Sequence, residues 1–238
     1  MHPRPEQGRV FGARRTVRLG DTTPDGRLRL DALARYLQDV AEDDVADAGW
    51  EEPVGWLVRR TTLVVERFAA KGEDVLLETF CTGLAARWAE RTTTVTGSAG
   101  ARLQAQALWV AVDPASGRPA RLSEAFGALY GPSAGERSVS ARLDKRPPPE
   151  GARRRPWPLR ATDLDVVGHV NNAVHWAAVE EALTSVPWLP AWAELAYHEE
   201  LRGSAAPDLV TAEGEGELSA WLFDQARLVA SAQLVAGT

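Results

Sequence analysis

Twice along the chain an Arg-x-x-Asp turn with a glycine five residues after the aspartate opens onto a helix-periodic run, and each time strand-like segments follow. In the first copy, residues 10–19 alternate as a strand and TPDG (23–26) carries Pro-Asp-Gly turn chemistry. Leu33, Ala34, Leu37, Val40, Ala41 and Val45 then recur at three- and four-residue spacing, which predicts an amphipathic helix from Leu30 to about Ala48, capped by Gly49. Four strands are expected at 56–68, 74–83, 88–97 and 102–113, with separators short enough for antiparallel pairing. The second copy reads as a short strand near 157–161, a helix from Asn172 to about Ser185, and strands at 192–202, 207–216, 218–223 and 226–235. Between the copies, residues 131–158 are rich in Pro, Gly, Ser and Arg and read as a linker. The expected organisation is a first half over 1–135, a linker over 136–156 and a second half over 157–238.

An ungapped shift of 142 (160 minus 18) lays Arg18 on Arg160, Asp21 on Asp163, Gly26 on Gly168, Arg27 on His169 and Leu28 on Val170. The copies differ in chemistry. Where the first has Thr23, Arg27, Arg29 and Leu30, the second has Asp165, His169, Asn171 and Asn172. One reaction centre per chain follows, in the second copy. A helix lying on one antiparallel sheet leaves an edge and an apolar face uncovered. The two copies are therefore expected to pair within the chain, with a homodimer as a further option.

The stretch Arg160–Leu183 places carboxylates, a histidine and two asparagines directly before a helix. Asn171 can cap free backbone N–H groups, and those groups with the positive helix end favour developing negative charge. Read alone, Asn171 is a cap and Asp163 and Asp165 form a turn; the density of the cluster favours a reaction centre. Against a metal site, His169 and His175 are six apart and share no helical face, and His198 and Glu199 are adjacent. The segment GPSAG (131–135) is a literal G-x-S-x-G, but Ser133 lacks the buried strand and following helix of a serine-hydrolase elbow. Cys81 is alone, which excludes an internal disulfide and fits a reducing cytoplasm, and it reads as a core residue. The net charge of −6 argues against nucleic acid as a partner, and no apolar run is long enough for a membrane span. The first ten residues have no apolar core and do not read as a secretory signal.

With these residues in view, the sequence resembles the acyl-acyl carrier protein (acyl-ACP) thioesterases of plants and bacteria. The strongest part is DLDVVGHVNN (163–172), similar to the family's D-L-D-x-N-x-H-V-N-N. The segments 24–43, 56–68, 87–95 and 113–126 support it over most of the chain. The resemblance implies an α+β, tandem double hot-dog fold, each half a long helix packed on a curved antiparallel sheet. It implies hydrolysis of fatty acyl-ACP thioesters in fatty acid biosynthesis, without metal or organic cofactor and with acyl carrier protein as partner. It implies catalytic roles for Asp165 and His169, and for Glu200 in YHEEL (197–201), with Gly168, Asn171 and Asn172 holding substrate. The acyl chain is expected in an apolar pocket of the first half.

Two positions depart from the family pattern. Val167 stands where the motif has asparagine, and Leu201 where a cysteine is frequent. Leu201 argues against a cysteine nucleophile. Val167 motivates the alternative of an acyl-thioester binding protein with weak or no hydrolysis; acyl-CoA in place of acyl-ACP is a second alternative. The basic run Arg153–Arg155, with Arg59 and Arg60, is a candidate landing surface for an acidic carrier protein, or else a solvated charge run.

Overall fold

In the computed structural model, residues 2–51, 53–135 and 137–237 are described. The first half runs β1 (Val10–Thr16), α1 (Leu30–Asp47), β2 (Gly55–Arg67), β3 (Asp74–Leu84), β4 (Trp88–Gly97), β5 (Arg102–Val112) and α2 (Glu124–Ala134). The second runs β6 (Arg153–Pro156), α3 (Asn172–Leu183), β7 (Pro190–Tyr197), β8 (Asp208–Gly214), β9 (Glu217–Asp224) and β10 (Arg227–Ala236). All ten strands join one antiparallel sheet in the order β1-β3-β4-β5-β2-β7-β10-β9-β8-β6. Each half thus repeats one strand order, and the seam is the β2–β7 pair, with Thr61 opposite Leu195 and Leu63 opposite Ala193.

The seam exists because both of its strands carry fully buried side chains, Leu63 at 2% and Leu195 at 1% exposure. Neither half leaves an apolar edge open there. The inner faces of α1 and α3 pack against each other and against strands of both halves, so Leu33, Leu63, Trp176, Leu195 and Leu222 belong to one core. Leu30, Leu33 and Tyr36 on α1 are buried with spacings of three, the face that the sequence periodicity marks. At the end of α1, Gly49 has φ +60, the left-handed turn that follows many helix C-termini.

Two expectations change. The short strand expected near 157–161 lies earlier, at Arg153–Pro156, where it pairs with β8 at the sheet edge and takes up the end of the expected linker. The segment read as the start of the linker is the C-terminal part of α2, which packs on β3. Ser123 caps α2 by accepting from Phe126 N–H, and Phe126 and Tyr130, four residues apart, bury the same side of it. The rest of the linker crosses the surface and is held by two indoles, with Trp88 Nε1 donating to Val139 O at 2.7 Å and Trp221 Nε1 to Arg146 O at 2.8 Å.

Candidate active site

The entry to α3 is built by backbone bonds that also build the entry to α1. Asp163 and Asp21 each close a capping box with the arginine three residues before them. Asn171 N–H donates to Asp163 O and Arg29 N–H to Asp21 O, both at 2.9 Å. Val170 N–H donates to Leu201 O, and Leu28 N–H to Ala69 O. Gly168 and Gly26 take φ +79 and +88, a left-handed turn that glycine adopts without strain. The structural repeat therefore follows the shift of 142 through this whole segment.

On this frame the second copy carries the polar groups. Asp165 Oδ1 accepts from the backbone N–H of Val167 and of His169, both at 3.0 Å, so its carboxylate is fixed by its own turn. Thr23 Oγ1 does the corresponding work in the first copy, accepting from Arg27 N–H at 3.1 Å. Asn171 is the N-cap of α3, its carboxamide oxygen accepting from Ala173 N–H at 2.9 Å. His169 Nε2 stands 3.4 Å from Glu200 Oε2, and Arg202 reaches the same oxygen at 3.2 Å. The strand expected to carry Glu200 stops at Tyr197, so Glu200 sits in the following loop, which meets His169 through a bridge between His169 and Arg202.

Two clefts meet at this point. One, of about 850 Å3, holds Asp165, His169, Glu200, Asn172, Arg59 and His198 among its walls. The other, of about 660 Å3, lies against the C-terminal part of α1 and is walled by Trp50, Trp56, Trp109, Phe126 and Tyr130. Asp165, Asn172 and Trp56 line both. The rings of Trp50, Trp56 and Phe126 form a continuous aromatic surface with centroids 5.3–6.2 Å apart. At its side is a buried ionic group. Asp44 accepts from Arg9 Nε at 2.6 Å, Arg91 Nη1 at 2.7 Å and the Tyr130 hydroxyl at 3.2 Å.

The structure brings Asp165, His169, Glu200 and Asn172 to one cleft, and gives Gly168 and Asn171 the roles of turn and cap. Val167 is 69% exposed; its backbone N–H, which any residue supplies, holds Asp165. Leu201 is buried in the core at 1% exposure. Ser133 lies near the end of α2, donating to Tyr130 O at 2.9 Å, far from any strand-turn-helix elbow. His175 and His198 are both held well below the usual histidine range, to about 4, first of all by burial. Burial likewise pushes the Cys81 thiol up to about 11, which leaves it a protonated core group. Arg59, Trp56 and Gln38 also line the clefts; they sit in periodic strand and helix positions, which carry no local signal of a site. The basic residues do not form one surface. Arg59 and Arg60 are on β2 at the centre of the sheet and Arg153–Arg155 on β6 at its edge, where Arg154 pairs with Asp208 and Arg155 with Glu181.

Comparison with known proteins gives the family and the fold. Residues 8–130 match the acyl-ACP thioesterase N-terminal domain and residues 148–205 the C-terminal domain. The chain belongs to the acyl-ACP thioesterase family. An uncharacterised protein of Mycobacterium tuberculosis is 33% identical over 193 residues, covering 79% of this chain and 76% of its own. The fold is that of solved acyl-ACP thioesterases, a double hot-dog. The 12:0-ACP thioesterase from Umbellularia californica superposes with a TM-score of 0.80 at 20% identity, over 95% of this chain and 96% of that one. An acyl-ACP thioesterase from Bacteroides thetaiotaomicron gives 0.80 at 16%, over 96% and 98%. The N-terminal family domain includes every aromatic residue that walls the 660 Å3 cleft, and the C-terminal one the Asp165–Asn172 cluster. Among the described residues, no helix is long and apolar enough to cross a membrane.

Proposed function

We propose that this chain hydrolyses fatty acyl-ACP thioesters to free fatty acid and carrier protein, acting in the cytoplasm in fatty acid biosynthesis. The observation that carries the reading is that Asp165 and Asn172 stand where a polar cleft and an aromatic cleft meet. The acyl chain lies along the aromatic cleft and the thiol-bearing arm of the carrier in the polar one. The thioester carbonyl then stands beside Asp165 and the start of α3. Asp165 takes a proton from water and the oxygen of that water bonds to the carbonyl carbon. The carbonyl oxygen becomes an oxyanion held at the N–H groups and positive end of α3. When it re-forms C=O, the C–S bond breaks and the thiolate takes the proton that Asp165 received, by way of His169. Glu200, 3.4 Å from His169 Nε2, fixes that ring.

Steady-state release of carrier thiol from a panel of acyl-ACPs tests the reading, with the corresponding acyl-CoAs run beside them. Asp165→Asn is expected to lower kcat about 100-fold or more, the size of a lost general base, and His169→Ala at least about 10-fold. Both proteins must keep the wild-type circular dichroism spectrum. Near-wild-type rates in both variants would remove the assignment. Binding of acyl-ACP without thiol release would leave a carrier of acyl thioesters, the role that Val167 suggests.

A further inference from the structure

The two helix entries differ at one further place, outside the motif. In the first copy the N-terminal N–H of α1 is occupied. Leu30 N–H donates to Glu180 Oε2 at 2.9 Å, and Arg27 forms an ion pair with the same carboxylate. Glu180 comes from α3, so α3 presents a side chain to the start of α1. The shift of 142 takes Leu30 to Asn172, Arg27 to His169 and Glu180 to Gln38 (180 minus 142). Gln38 is on α1, in the same helical register that Glu180 has on α3. Gln38 and Asn172 both line the aromatic cleft and the small apolar space behind it. Among the described residues, neither the Gln38 carboxamide nor the Asn172 backbone N–H has a hydrogen-bond partner.

A carboxylate oxygen at a helix start, accepting a backbone N–H and facing a cation, is the same acceptor that a tetrahedral oxyanion presents. The first copy holds such an oxygen permanently. The second replaces the charged side chain by a neutral amide of the same length, leaves the N–H open and adds an N–H donor of its own.

We infer that Gln38 is a catalytic residue contributed by the first half: its Nε2–H and the Asn172 N–H together receive the thioester carbonyl oxygen. This rests on the thioesterase reading above. It explains why one site needs both halves, since the donor pair is split between α1 and α3. It also marks the difference between the two copies, since in the first Glu180 fills the equivalent place.

Gln38→Ala, Gln38→Met and Gln38→Glu test it, assayed on the best acyl-ACP of the wild-type panel, with melting temperature and near-ultraviolet circular dichroism as checks of folding. Gln38→Ala and the shape-conserving Gln38→Met should lower kcat about 100-fold, the cost of one oxyanion donor, with KM within about threefold. Gln38→Glu should be slower still, because the carboxylate closes on the Asn172 N–H as Glu180 does on that of Leu30 and repels the oxyanion. Its activity should recover in part as pH falls and the carboxyl protonates. If Gln38 only ordered the water, the carboxylate would serve as well, so a Gln38→Glu enzyme near the wild-type rate overturns the inference. So does a folded Gln38→Met enzyme with kcat within threefold of wild type. A wild-type protein that hydrolyses no acyl thioester removes the thioesterase reading itself, and the inference with it.

Discussion

His175 stands one helical turn after the Asn171 cap, buried against Tyr197 with ring centroids 5.3 Å apart. Burial pushes its pKa from 6.5 down to about 4, outweighing the nearby carbonyls of Asn171 and Asn172. His198 moves the same way, through burial and the charges of Lys145 and Arg59. The folded protein therefore holds both rings neutral at a pH where the unfolded chain already takes up protons. Their contribution is complete above about pH 6.5 and is lost as pH falls toward 4. For His175 the difference amounts to at most about 3 kcal/mol. Urea midpoints at pH 7, 5.5 and 4.5 should fall steadily for the wild type and less steeply for His175→Gln. Parallel slopes would mean that the ring is not buried neutral. At this same scale the geometry of the motif was readable, because it is a short turn that its own neighbours close. Asp165 is held by Val167 and His169, two and four residues on. Glu200 and Gln38 are different. They reach the site from a loop and a helix distant in sequence, and Gln38 in a periodic run resembles any exposed helical polar residue.

Among the elements, the start of α1 depends on the body of α3. Arg27 and Glu180 are 10% and 13% exposed at their side chains and join the start of α1 to the body of α3. Glu180→Leu should leave the Arg27 guanidinium and the Leu30 N–H without that partner and cost about 3 kcal/mol in urea unfolding, the range for breaking one side of a buried pair. A loss below about 0.5 kcal/mol would make the pair a surface contact of no structural weight. The long helix and the strands of both halves lie within a few residues of their sequence expectations, because period 3.6 and period 2 mark the buried faces directly. Helix α2 escaped that test. EAFGALYGPSA is short, holds two glycines and Pro132, and has no polar face. It forms because Phe126 packs on an aromatic wall made by Trp50 and Trp56 from elsewhere in the chain, and Tyr130 packs on Phe126. Strand β6 was expected a few residues too late for the converse reason, since a run of arginines shows no apolar alternation and pairs on one side only.

For the molecule as a whole, one sheet and one core cross the seam between β2 and β7. Heat or urea should therefore unfold both halves together, and tryptophan fluorescence and far-ultraviolet circular dichroism should give superimposable transitions. Two separated transitions would mean that each half carries its own stability. The amino-acid sequence by itself determined the repeated helix-on-sheet plan, the family and which copy holds the polar turn, since these are written in local periodicity and in contacts between near neighbours. The tertiary structure alone decided how the halves share a sheet, where the aromatic cleft meets Asp165, that Gln38 and Asn172 line one cleft, and that Glu180 closes the N–H of Leu30. Those relations join residues distant in sequence, and no local pattern of side chains encodes them.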